Sequence, residues 1–140
     1  MNMIKLTLDN GKSVLVNTSA IQIVESFTTE EANEKAVSGV WLTLDGETKS
    51  AVLQDQFATI TRKLPADRMQ LTGKDGKKFS LAAHHIAHAI ELDDGMTLVR
   101  TTLTTAAGPV SLHVHESADA ILAEIAPESE YIEPEIVETP

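Results

Sequence analysis

Apolar and polar side chains alternate from the start of the chain. Ile4, Leu6 and Leu8 are separated by Lys5 and Thr7, and after Asn10-Gly11 the rhythm resumes at Val14 and Val16. A period of two puts such residues on one face of a strand, and Asn-Gly between two such runs is a strong hairpin signal. A further strand is expected around Ile21 to Glu25. Val40, Leu42 and Leu44 alternate next, and Asp45-Gly46 turns the chain into residues 48 to 53. The period then changes: Phe57, Ile60, Thr61 and Leu64 have the i, i+3, i+4, i+7 spacing of one helical stripe, which Pro65 ends.

The same succession then runs a second time. Met69 and Leu71 precede an Asp75-Gly76 turn, Phe79 and Leu81 follow it, and a strand is expected around 86 to 91. Two more fall at roughly 96 to 103 and 110 to 115, with Val110, Leu112 and Val114 on one face. Ala118, Ile121, Leu122 and Ile125 repeat the helical stripe, Ser117 is placed to cap its first turn, and Pro127 stops it. At a displacement of 65, Leu6-Thr7 falls on Leu71-Thr72, Gly11-Lys12 on Gly76-Lys77 and Ile21 on Ile86. At a displacement of 61, Asp55 falls on Glu116 and Ile60 on Ile121.

Self-similarity of this kind is the mark of a repeated structural unit. The expected fold is mainly β, in the α+β class: two tandem β-barrel-like or bent-sheet modules, each of about five antiparallel strands and a C-terminal helix. The first module is assigned to residues 1–64, the second to 68–126, and residues 127–140 form an acidic, proline-containing tail. Units of ~60 residues bury only roughly 60% of their unfolded surface, so the copies should pack against each other or against other subunits.

The run from Met3 to Lys12, MIKLTLDNGK, followed by Val16-Asn17 and Ile23-Val24-Glu25, resembles the FlbD family of small flagellar and swarming-motility proteins. In the second copy, Val114 to Ile121, VHESADAI, resembles that family's closing strand and helix start. The family pattern is a single module, whereas this chain has two, a long insertion at 26 to 39 and an acidic tail. The resemblance implies a non-enzymatic β module.

Charge sets the tail apart. Residues 1–63 carry six Lys/Arg against eight Asp/Glu, residues 64–126 five against eight, and residues 127–140 none against five, so half of the net −10 lies in the last segment. Two readings stand for it. It is a solvated tail, or it is a peptide docked along a neighbour through Tyr131, Ile132, Ile136 and Val137, with Pro134 preventing a helix. Concentrated positive charge is missing, which argues against nucleic acid. Zero cysteines fit a reducing compartment or a phage particle assembled in one. With no apolar run near the ~20 residues of a membrane span and no signal-peptide pattern, a cytoplasmic or virion protein without a membrane partner is expected.

Chemistry leaves few candidates. All five histidines lie in the second copy: His84, His85 and His88 around its third strand, and His113 and His115 on the outward face of its fifth. A helical turn would align His84 with His88 and a strand aligns His113 with His115. Such pairs suit a metal site, a pH-sensitive interface at His113 and His115, or ordinary surface histidines. Neither pair brings an evident third ligand, so no metal or cofactor is expected. Glu30-Glu31 and Asp93-Asp94 fall in loops where solvated charge is the default, and Lys74, Lys77 and Lys78 form a small basic turn. No nucleophile elbow, triad, P-loop or dinucleotide fingerprint occurs. Trp41 fits an interface anchor or a half-buried strand residue.

These features lead to a non-enzymatic structural or adaptor protein that acts through protein subunit contacts, as a homo-oligomer or in a larger assembly. A phage virion is the expected setting, as a capsid decoration or head-tail component. The alternative is a small-ligand-binding or regulatory protein using the inter-module cleft or the histidine face.

Overall fold

The computed structural model describes residues 2–125. Tyr131, Ile132, Ile136 and Val137, and with them both readings of the tail, lie outside the described residues. The first half runs β1 (Met3–Thr7), β2 (Ser13–Asn17), β3 (Ile21–Ser26), β4 (Ser38–Leu44), β5 (Glu47–Leu53) and α1 (Phe57–Thr61). The second runs β6 (Arg68–Thr72), β7 (Lys78–Ala82), β8 (Ile86–Glu91), β9 (Thr97–Thr105), β10 (Gly108–Val114) and α2 (Ala118–Ile125). The protein is therefore mainly β, with antiparallel sheets and short helices, and among the described residues no sheet closes into a barrel.

Equivalent residues make equivalent bonds. The β1–β2 register, Met3 opposite Asn17 through Thr7 opposite Ser13, is the β6–β7 register moved by 65 residues. Both third strands carry a bulge at the same place, between Ile21 and Ile23 and between Ile86 and His88. Each half bends back on itself through one isolated antiparallel bridge, Leu8 with Leu53 and Gly73 with Val114. Beside these bridges, Gln54 N–H donates to the Thr7 carbonyl at 2.8 Å and His115 N–H to the Thr72 carbonyl at 2.7 Å.

Side-chain volumes compensate between the halves. Where the first places Leu8 and Val14, the second places Gly73 and Phe79. A Cβ at Gly73 would stand 2.9 Å from Phe79 Cε2 and 3.2 Å from the His113 carbonyl oxygen. The ring occupies the space that a leucine fills in the other copy.

The halves are fused by a strand pair. β3 lies antiparallel to β7, with Ile23 opposite Leu81, Val24 opposite Ser80 and Glu25 opposite Phe79, which joins both halves in a five-stranded sheet ordered β5-β4-β3-β7-β6. The remaining strands form the hairpin β1-β2 and the sheet β10-β9-β8. Two hydrophobic cores result. Leu6, Val16, Ile21, Val24, Val40, Leu53, Phe57, Ile60 and Leu64 make the first. The second gathers Met69, Leu71, Phe79, Leu81, Val99, Leu103, Val110, Leu112, Val114 and Ile121, and also takes Ile23 from the first half.

The structure refines three segments of the sequence pattern. α1 stops at Thr61, and the chain continues to Leu64 through turns in which Lys63 and Leu64 N–H groups reach the Ile60 and Thr61 carbonyls. The Thr/Ala-rich run after residue 101 is strand as far as Thr105, with only Ala106-Ala107 turning into β10. Residues 27–37 pack as a folded loop, with Thr28 N–H bonded to Glu31 Oε1 and an Asn33–Ala36 bridge. In α2, Ser117 caps as its position suggests, its Oγ accepting from Ala120 N–H at 3.1 Å.

Candidate functional site

The seam between the halves concentrates the ionic and aromatic side chains. Lys77, only 16% exposed at its side chain, places Nζ 2.9 Å from Glu25 Oε2 on β3 and 2.9 Å from Glu31 Oε1 in the 27–37 loop. The same ammonium stands 5.6 Å from the Phe27 ring and 5.9 Å from the Phe79 ring, within cation–π range. Burial works against the charge on Lys77, but its hydrogen bonds to Glu25 and Glu31 outweigh that and hold its pKa above the ordinary lysine value. The Thr28 backbone N–H, and then Lys77, hold the Glu31 carboxyl below its usual range.

On the far side of the fused pair, Arg68 performs the matching task. Its Nε donates to Ser80 Oγ at 3.0 Å, and Nη2 donates to the carbonyls of Ser80 at 2.8 Å and Gln22 at 2.9 Å. Nη1 reaches the Ile21 carbonyl at 3.3 Å. The Ile21 and Gln22 carbonyls sit at the β3 bulge, where the ladder leaves backbone acceptors without strand partners. Burial lowers the guanidinium's pKa, yet an arginine starts high enough to keep its charge. The second half thus supplies both cations, Arg68 and Lys77, and the first half supplies the acceptors that they clamp, at Ile21, Gln22, Glu25 and Glu31.

A cleft of about 380 Å³ opens beside Lys77, bordered by Glu25, Glu31, Trp41, Phe79, Leu112 and His113. Trp41 is half-buried on β4 and packs on the second half's core, so its ring is spent on the internal seam. His113 Nε2 lies 3.3 Å from Asp94 Oδ2, a close approach without hydrogen-bond geometry. The backbone N–H of Met96 is the main cause holding the Asp94 carboxyl below its usual range, with His113 adding to it. His113 is half-buried on β10, and His115 is exposed just past its end.

The other histidines are separated by a change of backbone. Ala83 to His85 form a single 3-10 turn and β8 begins at Ile86, so no helical turn aligns His84 with His88. The His84 and His85 rings stand 4.2 Å apart, and His85 Nδ1 meets Thr102 Oγ1 at 3.3 Å. Burial, then the neighbouring His84 and Arg68, lowers the His85 pKa. Among the described residues no three His, Asp or Glu side chains gather at metal-binding distances, and no helix is long and apolar enough to cross a membrane.

The sequence reading gave Lys77 and Glu31 to solvent, whereas the fold brings them together from positions 46 residues apart. The Glu25-Lys77-Glu31 cluster was outside its reach because it depends on β3 pairing with β7. The remaining surface feature is apolar. Among the described residues Met3, Leu15, Leu44, Ile90 and Leu122 are the large hydrophobic side chains left exposed, and three of these five stand on β1, β2 and β8. No protein-family model, curated protein or solved structure matches the chain.

Proposed function

We propose that this chain is a non-enzymatic structural or adaptor protein that works through contacts between protein subunits. The observation that carries this reading is where its exposed apolar side chains lie. Leu15 is 67% exposed and Ile90 49%, each on a strand at the edge of its sheet. Unpaired backbone groups beside apolar side chains are what strand-mediated association uses. The proposed setting is a phage particle, as a capsid decoration or head-tail component, where small repeated modules stitch neighbours together.

Native mass spectrometry of the full chain tests the proposal. The expected result is an oligomer without a bound metabolite, and a monomer across the working concentration range overturns it. One observation favours a second reading, in which a small ligand occupies the cleft beside Trp41, Phe79 and Lys77. An anionic guest there would have to displace Glu25 and Glu31 from the lysine. A monomer that retains a small molecule through native spectrometry would support that reading.

A further inference from the structure

The internal repeat has one bond too few. β3 pairs with β7, but the counterparts of those strands, β8 and β2, lie at sheet edges, and among the described residues neither has a second partner. We propose that β8 of one molecule pairs antiparallel with β2 of a second copy of this chain, in the register that β3 and β7 use within the molecule. Moving that register by 65 residues sets His88 opposite Val16, Ala89 opposite Leu15 and Ile90 opposite Val14. The inference rests on the assembly reading above and names the partner, the edges and the alignment.

Three observations carry it. First, the strands concerned are true counterparts. β2 and β7 share their hairpin register residue for residue, and β3 and β8 carry the same bulge. Backbones shaped alike present their N–H and C=O groups alike, so an edge that fits β7 onto β3 fits β2 onto β8.

Second, burial is deeper along the paired strands than along the open ones. Ile23 and Val24 are wholly buried on β3, whereas on β8 His88 and Ile90 are exposed and Ala89 is half-buried. Ser80 on β7 is 5% exposed, while its counterpart Leu15 on β2 is 67% exposed. A leucine left in water beside an unpaired edge is a liability in an isolated chain. It is the expected residue if a second copy covers it.

Third, the side-chain volumes are complementary. Inside the molecule the central pair is Val24 with Ser80, a larger residue on the third strand and a smaller one on the second. Between molecules the central pair would be Ala89 with Leu15, the sizes exchanged and the apolar volume kept. Glu25, which holds Lys77 inside the molecule, is replaced by Ile90, opposite Val14. The internal seam uses an ion pair at this point, whereas the external one joins two apolar side chains.

The contact is heterologous, since each molecule offers β8 at one end and β2 at the other. Repetition gives a ring if the rotation closes and a filament if it does not.

Cross-linking in the full chain tests the register, and the lack of native cysteines makes engineered pairs unambiguous. Leu15→Cys with Ala89→Cys joins residues directly opposite in the proposed pairing. Leu15→Cys with Ile90→Cys is offset by one residue, so the side chains leave opposite faces. Under mild oxidation the matched variant should give reducible multimers about tenfold more efficiently than the offset one, because a disulfide needs adjacent, facing Cβ atoms. As a second measurement, Leu15→Lys with Ile90→Lys, both at exposed positions, should shift native mass towards the monomer with the fold retained by circular dichroism. An assembled wild type in which matched and offset pairs cross-link equally overturns this pairing while leaving the assembly reading in place. A monomeric wild type overturns both.

Discussion

Asp55 Oδ1 accepts the backbone N–H of Thr7 at 2.7 Å, tying the end of β1 to the segment that leads into α1. Glu116 does the same for Thr72 in the other half, at 2.9 Å and 3.1 Å through its two oxygens. These are the two residues that coincide at a displacement of 61. A shorter and a longer carboxylate reach the same donor, so the bond is retained although the side chain differs. Asp55→Ala and Glu116→Ala should each leave a part-buried N–H unpaired and cost about 1–3 kcal/mol. Urea titration followed by circular dichroism checks the value.

The fused sheet makes the halves thermodynamically dependent. Ile23 belongs to the first half by sequence and to the second half's core by position. Ile23→Ala should destabilise by about 2–5 kcal/mol through lost burial and a residual cavity. The single tryptophan, Trp41, reports on the seam. Its fluorescence transition and hydrogen exchange in β9 and β10 should shift together, whereas independent halves would move only one of the two signals.

The exchange of Leu8 and Val14 for Gly73 and Phe79 predicts a compensated substitution. Gly73→Leu alone forces the Phe79 ring from its place and should cost about 1–3 kcal/mol by overpacking. Adding Phe79→Val recreates the pair used in the first half and should recover part of the loss. Thermal melts of the single and double variants measure the difference.

Protonation acts on the seam and on the β8 turn with defined signs. Lys77 has a raised pKa in the folded chain, so its contribution is full below its ordinary value of 10.5 and is lost as pH rises through the folded value. Glu31 has a lowered pKa, so its contribution holds above 4.5 and is lost as pH falls through the folded value. His85 is also lowered, meaning the folded chain binds fewer protons than the unfolded one below 6.5. Stability therefore falls as pH drops through that window, and His85→Gln should flatten this part of the profile in pH-dependent urea titrations.

Much of the architecture was legible in the sequence because it depends on local periodicity. The buried set Val110, Leu112 and Val114 on β10 and the Asn10-Gly11, Asp45-Gly46 and Asp75-Gly76 turns follow from alternation and turn chemistry. The β3–β7 pair does not, because neither strand's pattern names its neighbour. One signal was present: Ile23-Val24 breaks the alternation and both residues are fully buried, as a strand covered on two faces requires. The corresponding His88-Ala89 keeps a polar position and lies on an open edge. Helical stripes are less informative about burial. Ile121 is buried in α2 but Leu122 is 44% exposed, because so short a helix meets the sheet along one line only.

The long sequence separation of β3 from β7 has a consequence for synthesis. Translation delivers Val24 more than fifty residues ahead of Ser80, its partner in the sheet. Until then β3 has no β7 beside it, and its edge lacks both the Arg68 clamp and the Lys77 ion pairs. A chain that ended before position 78 would leave that edge unpaired and open to any compatible strand. Completion of the protein is thus also the event that silences its own adhesive nascent chain.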